Sequence, residues 1–127
     1  MKKLISFILT VIFMTAAAAA IPASASPFSD VEDGRWSAAS VRYALDNGYM
    51  KGVGDGKFDP DGTLTRAAAV TVLWRRQGEP EPDADSGFVD VPSDAWYADA
   101  VAWAKNAGVT CGVSDEYFDP SRPVTRE

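Results

Sequence analysis

The sequence predicts a mostly α fold made of tandem helix–loop–helix units joined by Gly- and Asp-rich loops. Three observations carry that prediction. Residues 28–67 recur at 88–127 without a gap, with sixteen identities over the 40 aligned positions. Within each unit, apolar residues return at helical spacing. Clusters of Gly, Asp and Pro punctuate the segments between them. Self-similarity at a fixed period is the signature of a repeat architecture, in which one unit buries its apolar face against the next.

The N-terminus reads as an address. Lys2 and Lys3 precede the uncharged, largely apolar run Leu4 to Ile21, which Pro22 breaks before Ala23-Ser24-Ala25. A basic start, an apolar stretch and small residues at the outer positions of an A-x-A site are the layout of a secretory signal peptide, so residues 1–25 are expected to be removed after Ala25. A retained membrane anchor is the alternative for an apolar run of this length; the Ala-rich second half and the A-x-A site favour cleavage. Without Lys2 and Lys3 the remainder carries 10 positive against 18 negative charges.

The first unit is expected over 26–78. Phe28-Ser29-Asp30-Val31 is an extended lead-in, and a helix follows near 37–47, with Trp36, Val41, Ala44 and Leu45 approximating one apolar face. Gly48 stands where a left-handed helix cap is wanted. The loop Gly52-Val53-Gly54-Asp55-Gly56-Lys57-Phe58-Asp59-Pro60-Asp61-Gly62 is rich in turn residues. Thr65 is placed to cap the Ala-rich helix 66–77, which Gly78 ends, with Val70, Leu73 and Trp74 as its buried stripe.

Residues 79–87, Glu79-Pro80-Glu81-Pro82 and the acids after it, are expected to form an extended, mobile linker. The second unit, 88–127, repeats the lead-in as Phe88-Val89-Asp90-Val91, a helix near 94–107 and Gly108. It reaches Thr125-Arg126-Glu127 where its second helix would begin, so the sequence is expected to hold one complete unit and one clipped unit. Too few units to bury every apolar face implies a marginal fold.

Composition excludes several chemistries. There is no His, which removes Ser-His-Asp and Cys-His catalysis and imidazole metal sites; the single Cys, Cys111, closes no intrachain disulfide and is expected to be buried. The net charge of −6 speaks against nucleic-acid binding. An EF-hand frame centred on Gly62 would put Lys57 at its first position and Ala68 at its twelfth, so Asp55, Asp59 and Asp61 read as turn formers rather than calcium ligands. Asp59 and Asp119 precede proline and fit turns better than an acid/base pair. No metal or cofactor is expected, and no enzymatic activity.

The ordered set of motifs resembles the S-layer homology family. The first unit has Phe28-Ser29-Asp30-Val31, Trp36, Gly48 to Gly52, Phe58-Asp59-Pro60 and Thr65-Arg66-Ala67-Ala68. The second has Phe88-Val89-Asp90-Val91, Trp96-Tyr97, Gly108 to Gly112, Phe118-Asp119-Pro120 and Thr125-Arg126-Glu127. The resemblance implies an exported module that attaches proteins non-covalently to the bacterial cell wall, by binding a secondary wall polysaccharide, often pyruvylated, in grooves between units. It also implies that the Arg of the Thr-Arg motif, here Arg66 and Arg126, contacts the ligand. Ala68 stands where the family has Glu, which removes the reciprocal half of a capping box.

From the residues themselves, Arg66 opposes the dipole at a helix start, which makes it a poor local choice and a good carboxylate fork. The open N–H groups of that helix start would add donors for the same anion. A salt bridge to Asp59, Asp61 or an acid of another unit is the competing role. Gly52, Gly54 and Gly112 would let a sugar approach the backbone closely. Trp36 and Trp96 could stack on sugar rings, although their position at the start of an apolar helical face suits core packing better. The expected partners are a cell-wall polysaccharide and other units of the same kind, with no membrane contact after signal cleavage. Two other functions compete: the anchor of a larger exported wall or polysaccharide hydrolase, and a structural surface-layer protomer that uses the units for protein–protein association.

Overall fold

A computed structural model describes residues 26–125 of the chain; the expected signal segment, Arg126 and Glu127 lie outside the described residues. The fold is mostly α, as predicted. Three helices, α1 (Ala38–Asp46), α2 (Arg66–Arg76) and α3 (Ala98–Asn106), are joined by turns and loops, with no strand among the described residues.

The helices form where the apolar spacing placed them; α2 starts at Arg66 as expected, while α1 and α3 start later, at Ala38 and Ala98. Ahead of α3, the amide of Ala95 bonds to Pro92 O at 3.0 Å and that of Ala98 to Ala95 O at 2.9 Å. These are successive tight turns, not helix. This corrects the expected core role of the two leading tryptophans. Trp36 and Trp96 sit in such turns, off the helical face, and are 88% and 64% exposed. The C-terminal ends follow the prediction: Gly48 and Gly108 both adopt φ of +70°, and the next residue's amide folds back onto Ala44 O and Ala104 O, each at 2.8 Å.

The Phe-x-Asp-Val lead-in acts as a clamp in both units. The Asp30 carboxylate accepts the amides of Phe58 at 2.9 Å and Asp59 at 2.8 Å. Sixty residues on, Asp90 accepts those of Phe118 at 2.9 Å and Asp119 at 2.7 Å. Each clamp holds the following Phe-Asp-Pro turn, in which Asp59 and Asp119 take positive φ of 56° and 58°. It also brings the two phenylalanines of a unit together, with ring centroids 5.3 Å apart for Phe28 and Phe58 and 5.8 Å for Phe88 and Phe118.

The Phe58 amide, foremost, holds the Asp30 carboxyl below the usual carboxylate range, helped by the Asp59 amide and the Lys57 charge and opposed by desolvation. A lowered folded value means that the unfolded chain binds the proton more tightly. The contribution is therefore complete above the ordinary carboxylate value of about 3.9 and disappears as pH falls through the folded value. Hydrogen exchange should show the Phe58 and Asp59 amides losing protection between about pH 5 and pH 2, ahead of the α3 amides. Unchanged relative protection across that range would remove the clamp from the acid response.

The core does not respect the sequence units. The larger cluster joins Ala67 and Val70 of α2 to Phe88, Val91, Ala100, Val101, Ala104 and Phe118, with Trp74, Tyr97 and Trp103 packed around it. Thus α2, which belongs to the first unit in sequence, packs on α3 of the second. The first unit keeps only Phe28, Val31 and Val41, with Ala38, Leu45 and Phe58 against them. Among the described residues no other helix packs on α1. The consequence is visible at equivalent positions: Phe118 is fully buried while Phe58 is half-buried.

Two further expectations need correction. Residues 79–87 are tied down rather than free: Trp74 Nε1 donates to Pro80 O at 2.8 Å, Asn106 to Ala84 O at 2.8 Å and Lys105 to Ser86 O at 2.6 Å, and Ser86 is buried. The α2–α3 contact carries the segment past both helices, where their side chains satisfy its carbonyls. Cys111 is exposed, because it occupies the outward-facing position between Thr110 and Gly112 in the loop after Gly108.

Candidate functional site

The start of α2 is where the two units meet. Thr65 caps it as predicted, its hydroxyl accepting the Ala68 amide at 3.3 Å. The expected open donors, however, are already used. The Arg66 amide bonds to Arg122 O at 2.9 Å, the Ala67 amide to Pro120 O at 3.0 Å and the Ala69 amide to Thr65 O at 2.9 Å. The Val124 amide completes the contact by donating to Leu64 O at 2.8 Å. The second unit's Pro120–Val124 segment thus fills the site that an anion would take at a free helix start.

Arg66 lies in this inter-unit contact. Its Nε donates to Phe118 O at 2.8 Å, and its guanidinium carbon stands 4.8 Å from the centre of the Phe118 ring. It makes no ion pair with Asp59 or Asp61; Asp61 pairs with Arg35 instead. A planar cation on an aromatic face with one N–H on that residue's own carbonyl fixes Phe118 against α2.

An open groove of about 530 Å³ runs along the opposite side of α2. One wall is the loop around Lys51, Gly52, Phe58 and Thr63; the other is the α2 stripe Ala68, Thr71, Val72 and Arg75; Trp96 of the second unit closes the rim. Residues three and four apart share a helix face, so 68, 71, 72 and 75 form one stripe. Arg66 is nine positions from Arg75, about 180° around the helix, and so faces away from the groove. A volume of this size and mixed lining are typical of a small-ligand site.

Of the residues singled out from sequence, Gly52 and Trp96 meet in this groove, while Arg66, Gly54, Gly112 and Trp36 do not line it. Arg126 lies outside the described residues. Gly52 and Gly112 have internal reasons to be glycine. A Cβ on Gly52 would fall 2.6 Å from the Phe28 ring, and one on Gly112 2.6 Å from the Phe88 ring and 2.6 Å from two backbone carbonyl oxygens. Gly54 has open space around it. Sequence reasoning passed over Arg75 and Lys51; the helical stripe from Ala68 to Arg75 was the signal that could have found Arg75.

Among the described residues there is no cluster of acids and Cys suited to a metal ion, and no helix long and apolar enough to cross a membrane.

Similarity to known proteins agrees with this architecture. The S-layer homology domain model matches residues 27–70 and 87–127. The chain is 36% identical over 112 residues to a surface-layer 125 kDa protein of Lysinibacillus sphaericus, covering 87% of this chain and 9% of that protein. It is 35% identical over 128 residues to a cell surface protein of Thermoanaerobacter kivui, covering 95% of this chain and 16% of that one. It is 46% identical over 115 residues to cell surface glycoprotein 1 of Acetivibrio thermocellus, covering 81% and 5% respectively. The chain therefore spans at most 16% of the length of these three relatives. With two matched segments, a repeated Asp clamp and a groove walled by both units, the chain belongs to the S-layer homology domain family.

Proposed function

We propose that this chain is a non-catalytic anchor that attaches an exported protein to the cell wall by binding a secondary wall polysaccharide. As a member of its family it is a secreted, cell-wall-associated protein. The observation that carries the polysaccharide reading is the groove between the loop of the first unit and α2, rimmed by the exposed indole of Trp96. Sugar rings pack their C–H faces on such a ring, and the exposed Thr63 and the loop backbone offer hydrogen bonds beside it. Arg66 supports the site by holding Phe118, and with it the second unit, against α2.

The chain should sediment with purified wall sacculi and remain in solution with sacculi stripped of secondary polymer. Equal retention on both would refute the reading. Arg66→Ala should weaken retention by loosening the contact between the units, with the helical circular dichroism largely kept.

A second reading is favoured by the uncovered side of α1 and the turn before it, where Tyr43 and Trp36 are exposed and, among the described residues, no other helix packs. Another unit of the same kind would cover it, as α2 covers α3. Concentration-dependent association in analytical ultracentrifugation without glycan supports this reading, and a monomer at every concentration counts against it.

A further inference from the structure

We propose that Arg35 is a positioning residue of this groove: paired with Asp61 behind the wall, it fixes the turn from Asp59 to Thr63 on which a polymer chain rests. The proposal rests on the polysaccharide reading and concerns a residue that does not line the groove itself.

Asp59, Pro60, Gly62 and Thr63 line the groove, while Asp61 between them does not. The Asp61 carboxylate instead accepts from Arg35 Nη2, 26 positions back in the turn before α1. Arg35 is itself anchored. Its Nε donates to Ser37 Oγ at 2.9 Å, its amide donates to Glu32 O at 2.9 Å, and its carbonyl accepts the Ala38 amide at 3.0 Å. The planar fork thus ties the approach to α1 to the back of the groove wall. With 26% of the Arg35 side chain and 78% of the Asp61 side chain exposed, such a pair adds little to global stability; its effect is local.

The second unit holds the same turn by other means. There the positions of Arg35 and Asp61 are Ala95 and Ser121, which cannot form an ion pair. Pro120 O and Arg122 O accept the Ala67 and Arg66 amides from the start of α2, at 3.0 and 2.9 Å. The equivalent carbonyls of the first unit, Pro60 O and Gly62 O, accept no backbone amide among the described residues. Between the Asp30 clamp at Asp59 and the Val124 bond at Leu64, Arg35 is what reaches this turn from another element. It stands in for the helix start that the turn lacks. A wall already fixed in place loses less freedom when a polymer binds, so the pair raises affinity without touching the ligand.

The test compares wild type, Arg35→Gln, Asp61→Asn and the double variant by ¹⁵N NMR, first alone and then titrated with wall polysaccharide released from sacculi. Without ligand, each single variant should lower the {¹H}–¹⁵N NOE of Gly62 and Thr63 and leave those of Ser121 and Arg122 unchanged. Each should bind the polysaccharide about three- to fivefold more weakly. The double variant should bind no worse than either single one, because both remove the same contact. Arg35→Lys should recover part of the affinity. The urea midpoint should stay near that of wild type, which separates positioning from a general loss of structure. Unchanged NOE values or unchanged affinity in Arg35→Gln, or losses that add in the double variant, overturn the proposal; should Arg35→Gln fail to fold, Asp61→Asn decides. If wild type and Arg35→Gln bind the polysaccharide equally, the positioning role fails and the anchoring reading stands. A wild-type chain that does not bind it refutes the anchoring reading, and the positioning role with it.

Discussion

Replacing Phe118 with Ala is expected to cost about 3–5 kcal/mol, a large share of the stability of a small domain. Phe118 is fully buried and lies in the cluster that joins α2 to the second unit. Its ring meets Phe88 and lies under the Arg66 guanidinium, its carbonyl accepts Arg66 Nε and its amide is clamped by Asp90. The substitution leaves a cavity where α2, α3 and the Phe-Asp-Pro turn converge, and it removes the surface on which Arg66 rests. Phe58→Ala, at the equivalent place in the first unit, should cost about 1–2 kcal/mol, because Phe58 is half-buried and, among the described residues, lies in a smaller cluster without a second helix. Urea denaturation followed by circular dichroism measures both. Equal losses would mean that the two cores are equally closed, contrary to the structure.

Gly112→Ala is expected to destabilise by about 2–4 kcal/mol, combining the left-handed backbone penalty with overpacking. Gly112 has φ of +84°, and the added methyl would press on the Phe88 ring and on the carbonyls of Ser114 and Tyr117. Gly54→Ala, with φ of +111° and open space, should cost the backbone strain alone, about 1–2 kcal/mol. The pair separates two reasons for a loop glycine. If Gly112→Ala were no worse than Gly54→Ala, packing would not explain Gly112, and close approach of a sugar would be the better account.

Much of the fold was legible because it depends on local chemistry. Helix periodicity placed α1, α2 and α3, Thr65 marked a cap, and Gly48 and Gly108 marked left-handed ends. The duplication itself needed only the sequence. What stayed hidden was set by contacts between the units. Nothing local says that α2 leaves its own unit to pack on α3, and from that one fact follow the tethering of residues 79–87, the half-open core of the first unit and the use of the α2 amides by Pro120 and Arg122. The tryptophans misled for a different reason. Trp36 and Trp96 are one position too early to share the helical face, so a large apolar side chain that looked like core stands in solvent.

The candidate site was half legible. Gly52 and Trp96 come together in the groove although 44 positions separate them. Arg66, expected to contact a ligand, lies at a junction between the units, where its partner is Phe118 of the same chain. Arg75 was overlooked because an Arg near a helix C-terminus already has an ordinary explanation, its favourable interaction with the helix dipole. Only its low exposure and its place on the groove wall distinguish it.

The most direct measurement is an amide and indole chemical-shift map of the ¹⁵N-labelled chain titrated with wall polysaccharide released from sacculi. A polymer held between the units predicts shifts concentrated at Met50–Val53, Phe58–Thr65 and the Trp96 indole, saturating together. Shifts scattered over the surface, or confined to the face of α1 around Trp36 and Tyr43, would contradict it.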